Sequence, residues 1–417
     1  MVHVQPTNIG NQSTVMRVLP KDNPKINESF ISDRDRFSYT ALADNRVTTP
    51  MVKRNGTWST VSWTEALSIV AKKAQEQSSD PENAALLMSS SIPTGEAYML
   101  QKWWKSMGFV HSRFDLLRQD VSDESHLNRP VTNITLSDIE SAKSVILVGA
   151  HPKSQQPILG MKLRQAALGG AKMLHLTTKK LDLNYEASQH IAHPNEWVSI
   201  LLAIAKKVGV ALDKVWDSVP EVAIDDMPEH ATWVLGEQVL MHPQGALIRS
   251  LVTQIARHQQ SGLLILSHGA NIAGCYTAFA AVDAKQSIYN ASELLAQKKS
   301  MYFLHQVHPE FDLPAAQQAV QSLSESFVIA TSAFWSEKMR QYADIVLPVS
   351  TFAESSGSMI NVFADEQNFQ ATVMPIGDAK PMWKVARVLG EICELDGFAY
   401  QSIEEVSAAH PYQPMLD

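Results

Sequence analysis

Short, nearly unbroken apolar runs separated by segments of helical spacing organise this chain. Ala84 to Met88, Val145 to Val148, Leu263 to Leu266, Met301 to Leu304 and Phe327 to Ala330 are such runs, and Met173 to Leu176 is interrupted only by His175. Runs of this length without alternation predict strands buried on both faces, as in parallel sheets. Between them lie helical patterns. Trp63, Ala66, Leu67, Val70 and Ala74 share one face, with Ser62 or Thr64 as N-cap, and Thr94 to Met107 carries Tyr98, Leu100, Trp103 and Trp104. Ile158 to Leu168, stopping at Gly169-Gly170, and Trp197 to Val208, Ala246 to His258 and Cys275 to Asp283 are further helices. Alternating strands and helices predict doubly wound sheets with ligand-type loops at the strands' carboxyl ends. Val15 to Leu19 predicts a strand in a segment too poor in core for its own domain, and Asp182 to Gly245 reads as helical cover.

Length and composition refine this picture. At 417 residues the chain is too long for one core. The expected organisation is a remnant over 1–46, a discontinuous first α/β domain over 47–125 and 245–417, and an inserted second α/β domain over 126–244. A net charge of -8 leaves no basic footprint, so no nucleic-acid partner is expected. No run reaches the length of a membrane span, and the start MVHVQPTNIG lacks signal-peptide features, so the expected location is cytoplasmic without direct membrane insertion. The two cysteines, Cys275 in a Gly-rich loop and Cys393 on a helix, cannot hold a four-cysteine cluster or zinc site.

Chemistry is concentrated in the loops after the strands. Ile345 to Leu347 is a strand closed by Pro348, and Ser350, Glu354, Ser355 and Gly357 follow in a polar loop running to Asn361. VGAHP supplies Gly149 and His151, HGANIAG supplies Gly269 and Asn271, and the turn after Leu176 supplies Thr177 and Lys179. Each alone is compatible with an ordinary strand and turn. His190 and His193 have H-x-x-H spacing but no further ligands nearby, and Pro194 ends any local helix, so no metal site is assigned. The His-Pro pairs read as loop punctuation and Ser89 to Ser91 as a helix cap. No nucleophile elbow or P-loop follows a strand, and no catalytic residue is assigned.

Taken in order, VGAHP, HGANIAG, VHPEFDLP (Val307 to Pro314) and ADIVLPVSTFAESSGSMIN (Ala343 to Asn361) resemble the molybdopterin oxidoreductase family. VMRVLP, ISDRDRFSY and PMWKVARVLGEI narrow the resemblance to the large peripheral-arm subunits of bacterial NADH-quinone oxidoreductase. The resemblance implies two doubly wound, mainly parallel-sheet α/β domains of the molybdopterin oxidoreductase type with a small N-terminal β remnant. It also implies iron-sulfur clusters ahead of a position like Val2, outside this chain.

Three departures from the family pattern bear on the cofactor. Where the pattern continues after Asn361 with an acid, a glycine and an arginine, this chain has Val362-Phe363-Ala364-Asp365, an acid where a phosphate partner would stand. An Asp-Pro-Arg turn is replaced by Thr177-Thr178-Lys179-Lys180, which lacks the bidentate guanidinium fork. Asn-Pro dipeptides become His151-Pro152 and His308-Pro309. The resemblance therefore implies a degenerate cleft that has lost molybdopterin, in a scaffold portion bound to the other NADH-quinone oxidoreductase subunits on the cytoplasmic face of the inner membrane. Two alternatives are a working molybdopterin oxidoreductase and a stand-alone nucleotide-binding protein using the loops at Gly149 and Gly269.

Overall fold

The computed structural model describes residues 1–6, 13–124, 132–212 and 230–411. In chain order its strands are β1 (Val2–Pro6), β2 (Ser13–Val18), β3 (Met51–Arg54), β4 (Thr57–Thr60), β5 (Ala84–Met88), β6 (His111–Arg113), β7 (Ser144–Val148), β8 (Lys172–Thr177), β9 (Ser188–Ile191), β10 (Thr232–Leu235), β11 (Leu263–Ile265), β12 (Met301–His305), β13 (Phe327–Ser332), β14 (Ile345–Pro348), β15 (Gly357–Ile360) and β16 (Glu366–Phe369). The chain divides into two compact units. The first comprises Met1–Leu19, Asp33–Leu117 and Gly269–Asp417, and the second Pro20–Ser32 and Arg118–His268.

The first unit is built on a seven-stranded sheet in the order β4-β3-β14-β13-β12-β5-β6. The five strands from β14 to β6 run parallel, and β3 and β4 add an antiparallel edge. The apolar runs align start to start, Met301 opposite both Ala84 and Phe327, so their unbroken burial matches a sheet covered on both faces. Ser62 accepts from Glu65 N at 3.2 Å and caps the helix Trp63–Gln77. Trp103 and Trp104 of the helix Thr94–Ser106 are fully buried, with the Trp103 ring 5.7 Å from Phe303 of β12. β1 and β2 form a separate antiparallel pair near the N-terminus.

In the second unit an all-parallel sheet is ordered β11-β10-β7-β8-β9. Two expectations are corrected here. Asp182 to Gly245 is not simply helical cover, because it contributes β9 and β10, although residues 213–229 lie outside the described residues. β9 reads Ser-Gln-His-Ile, too polar to announce a strand, and it places His190 of the H-x-x-H pair in extended structure. The inserted unit also runs to His268 instead of stopping at Gln244, since β11 pairs with β10 and the helix Gly245–His258 packs on that sheet through Ile248, Leu251, Val252 and Ile255. Pro20–Ser32 joins this unit, where Glu28 pairs with Lys162.

Both cysteines lie near helix ends that are slightly shifted from the expected ones. Cys275 lies within the helix Ile272–Ala281, which starts earlier than its spacing suggested, and Cys393 follows the last residue of the helix Met382–Ile392. Both are free, and burial pushes each thiol above its ordinary range.

Candidate functional site

In each unit the strand order reverses at one point, between β12 and β5 in the first and between β7 and β10 in the second. Open α/β sheets take ligands at the carboxyl ends of strands beside such a reversal. The candidate residues divide between the units. Gly269, Asn271, Ser350, Glu354, Ser355, Gly357, Asn361 and Asp365 belong to the first, and Gly149, His151, Thr177 and Lys179 to the second.

In the first unit the loop after β5 is fastened to the HGANIAG loop. Asn271 N donates to Ser90 O at 2.8 Å and Ala270 N to Ser91 Oγ at 3.1 Å. Gly269 has φ +95°, and a Cβ there would lie 2.1 Å from Ser90 Oγ, so only glycine fits. The serine run thus braces a neighbouring loop instead of capping a helix; the cap position of Thr94–Ser106 is Pro93, with no side-chain cap. Asn271, fully buried, donates through Nδ2 to Ile92 O at 2.6 Å and Thr94 Oγ1 at 3.2 Å. Its Oδ1 accepts from Ile360 N at 2.6 Å, which ties the loop to β15.

Glu354 is equally committed. Its carboxylate accepts from Arg46 Nη2 at 2.7 and 2.9 Å, from Thr351 N at 2.8 Å and from Ile376 N at 3.2 Å. Both side chains of the Arg46–Glu354 pair are 4% exposed. Arg46 also donates to Leu42 O and Ala333 O, so its guanidinium holds three parts of the chain together. Ser350 and Ser355 are buried, and Ser350 Oγ has no hydrogen-bond partner among the described residues.

Gly357 opens β15, and Asn361 to Asp365 form the turn of the β15–β16 hairpin. Asn361 Oδ1 accepts from Phe363 N at 2.9 Å and Asp365 N at 3.0 Å. Asp365, the acid at the position where the family pattern has a phosphate partner, has its carboxylate 3.5 Å from Asn361 Nδ2 within that turn. At the reversal itself stands a pair that the sequence did not single out. His305, fully buried at the end of β12, meets Thr331 Oγ1 at 2.7 Å and lies 3.6 Å from Glu96, whose other oxygen accepts from Met382 N at 3.0 Å.

In the second unit Gly149 follows β7 with φ +61°. His151 N donates to Gln155 Oε1, and His151 Nδ1 lies 2.9 Å from Ser154 Oγ. Thr177 is buried and donates to Lys179 O at 3.1 Å, while the Lys179 side chain is exposed. Three His-Pro pairs do punctuate the chain, at the start of helical turns rather than at their ends: Pro152, Pro194 and Pro309 each occupy a first-turn position.

His175 of β8 is a second group that pattern reading passes over. It is fully buried, Nε2 lies 3.0 Å from Tyr185 OH, and burial, helped by the nearby His151, pulls its pKa down to about 4. Because the folded state disfavours protonation, the unfolded chain binds the proton first as pH falls. The neutral imidazole's contribution is complete above pH ~6.5 and is lost between there and pH ~4, about 3 kcal/mol in all. Urea titrations at stepped pH should therefore show stability of this unit falling across that window, and His175→Gln should flatten the fall; an unchanged slope in the variant would reject the assignment.

A pyrophosphate needs free backbone donors and cations. In both units the side chains at the strand ends are largely engaged within the chain, and Lys179 is the one cation among these candidates, at the surface. These candidates offer a pyrophosphate one surface cation and few uncommitted side chains. No group of three or more His, Cys, Asp or Glu residues suited to a metal occurs among the described residues.

Comparison with known proteins agrees with this geometry at the level of fold and family. Residues 46–392 match the molybdopterin oxidoreductase family, and residues 9–40 match the NADH-ubiquinone oxidoreductase NDSU1/NuoG-like 4Fe-4S domain. Residues 9–40 contain no cysteine, so they supply none of the thiolates that hold such a cluster. Similar proteins include the NADH-ubiquinone oxidoreductase 75 kDa subunit of Reclinomonas americana, 25% identical over 94% of this chain and 56% of that one. An NADH-quinone oxidoreductase subunit of Rickettsia conorii is 27% identical over 94% and 54%. The mitochondrial NADH-ubiquinone oxidoreductase 78 kDa subunit of Candida albicans is 23% identical over 90% and 49%. The chain thus spans about half the length of these relatives. Among solved structures, acetylene hydratase from Pelobacter acetylenicus shares the fold, with a TM-score of 0.65 at 12% identity over 95% of this chain and 68% of that one. With the matched region covering most of its length and its sheets ordered as described, this chain belongs to the molybdopterin oxidoreductase family.

Proposed function

We propose that this chain is a cofactor-free scaffold, the molybdopterin oxidoreductase-like portion of the large subunit in the peripheral arm of an NADH-quinone oxidoreductase. In this reading it binds other subunits of that complex on the cytoplasmic face of the inner membrane. Electrons pass from NADH to quinone through clusters held outside the chain. The observation that carries the reading is the commitment of the strand-end polar groups to the chain itself, with Glu354 closed on Arg46 and Asn271 on Ile92 and Ile360. Buried polar groups closed on their own chain are satisfied without a ligand, which supports a structural role for these loops. The relatives supply the setting, and no helix of the described residues is long and apolar enough to cross a membrane.

The test is to isolate the tagged chain from its own cells with whatever it binds. Mass spectrometry is expected to find NADH-quinone oxidoreductase subunits, while plasma mass spectrometry finds no stoichiometric molybdenum or tungsten and the released material shows no pterin fluorescence. Stoichiometric metal and pterin would reject the reading.

A further inference from the structure

In the second unit the strand order reverses between β7 and β10, where a nucleotide phosphate would lie against glycine turns. Each strand here is followed directly by a glycine, Gly149 and Gly236, and the two turns rest on one another. A Cβ built on Gly236 would lie 2.3 Å from both Ala150 Cα and Gly149 O, and one on Gly149 would lie 2.9 Å from Gln238 Cβ and the Trp197 ring. Glycines in a nucleotide-binding turn let the ligand approach the backbone; here the group that approaches is the backbone of the other turn.

Four amides of the two turns are used as well. Gly149 N donates to Leu176 O at 2.9 Å, Gly236 N to Val148 O at 2.8 Å, Gln238 N to Gly149 O at 3.2 Å and His151 N to Gln155 Oε1 at 3.1 Å. Beside them is a carboxylate belonging to the chain. Glu237 accepts from Gln155 Nε2 at 2.6 Å and lies 3.0 Å from His268 Nδ1, its side chain 19% exposed. Glu237 thus places a carboxylate, held against Gln155 and His268, where a phosphate would have to lie, and it disfavours an anion at that spot.

We infer that this crevice is filled from within, by main-chain contact between the Gly149 and Gly236 turns and by the Glu237 carboxylate, and takes no nucleotide. The inference rests on the cofactor-free reading and deepens it by naming what occupies the place. It also separates this chain from a stand-alone nucleotide-binding protein.

The experiment uses the full chain with guanosine diphosphate as probe, followed by thermal shift and calorimetry. Wild type is expected to show no saturable rise in Tm up to millimolar probe. Gly236→Ala is expected to lower Tm by roughly 5 °C or more, or to prevent folding, because Ala150 cannot retreat. Glu237→Gln, which keeps the shape, should fold and still ignore the probe, since the backbone contact remains. A saturable shift in wild type or in Glu237→Gln, or a Gly236→Ala variant as stable as wild type, would overturn the inference. Probe binding in a chain that carries no molybdenum would overturn it alone and leave the scaffold reading standing.

Discussion

Arg46→Ala should destabilise the first unit by about 3–5 kcal/mol, seen as a drop in Tm of roughly 10 °C. The magnitude follows from what is left behind. Glu354 is 4% exposed, so removing the guanidinium strands a carboxylate away from water with only two backbone amides and Thr351 Oγ1 around it. Arg46 also loses its bonds to Leu42 O and Ala333 O, which separates the segment before β3 from the end of β13. A double-mutant cycle with Glu354→Leu should give a coupling of about 2–3 kcal/mol, because the two groups share one desolvated contact. A coupling near zero in urea unfolding would show that the pair is not the brace described here.

Asn271→Ala is expected to lower stability by about 2–6 kcal/mol, since Ile92 O and Ile360 N would each be left buried without a partner at about 1–3 kcal/mol apiece. This substitution also discriminates between roles. If Asn271 served a bound dinucleotide instead of its own chain, the urea midpoint of the cofactor-free protein would stay where it is in wild type. A shifted midpoint with unchanged m-value supports the brace, and an unchanged midpoint rejects it.

Much of the fold is legible because burial on both faces leaves a signature that needs no partner information. β5, β7, β12 and β13 can be read from unbroken apolar runs, and their helices from a single buried face. The strands that escape are those whose identity depends on neighbours. β9 is polar and short at a sheet edge, β6 is only His111–Arg113, and β10 follows a segment without clear periodicity. Missing β10 shifts the domain boundary, since β11 and the helix Gly245–His258 follow it into the second unit.

The candidate site is legible in position but not in purpose. Gly149, Gly269, Asn271 and Glu354 do stand at strand ends, where the pattern of apolar runs and polar loops predicts them. What no local pattern discloses is a partner 308 residues away, as Arg46 is from Glu354, or the fact that Gly149 faces a second glycine turn. Asp365 is instructive for the opposite reason. Its charge stands out against a family pattern, yet its immediate job is to help close a hairpin turn with Asn361.

The discontinuity of the first unit has a consequence for biosynthesis. β5 ends at Met88 and its parallel neighbour β12 begins at Met301, so at about 5–20 residues per second the ribosome needs roughly 10–40 s to supply the second strand after the first has emerged. During that interval the hydrophobic β5 has an unpaired edge, while the intervening unit, continuous from Arg118 to His268 apart from Pro20–Ser32, is already available to fold. Nascent chains stalled at about residue 310, with β12 still inside the ribosome, should therefore display an ordered second unit and a protease-sensitive, chaperone-bound β5. Completion of the larger sheet then comes after the second unit has folded.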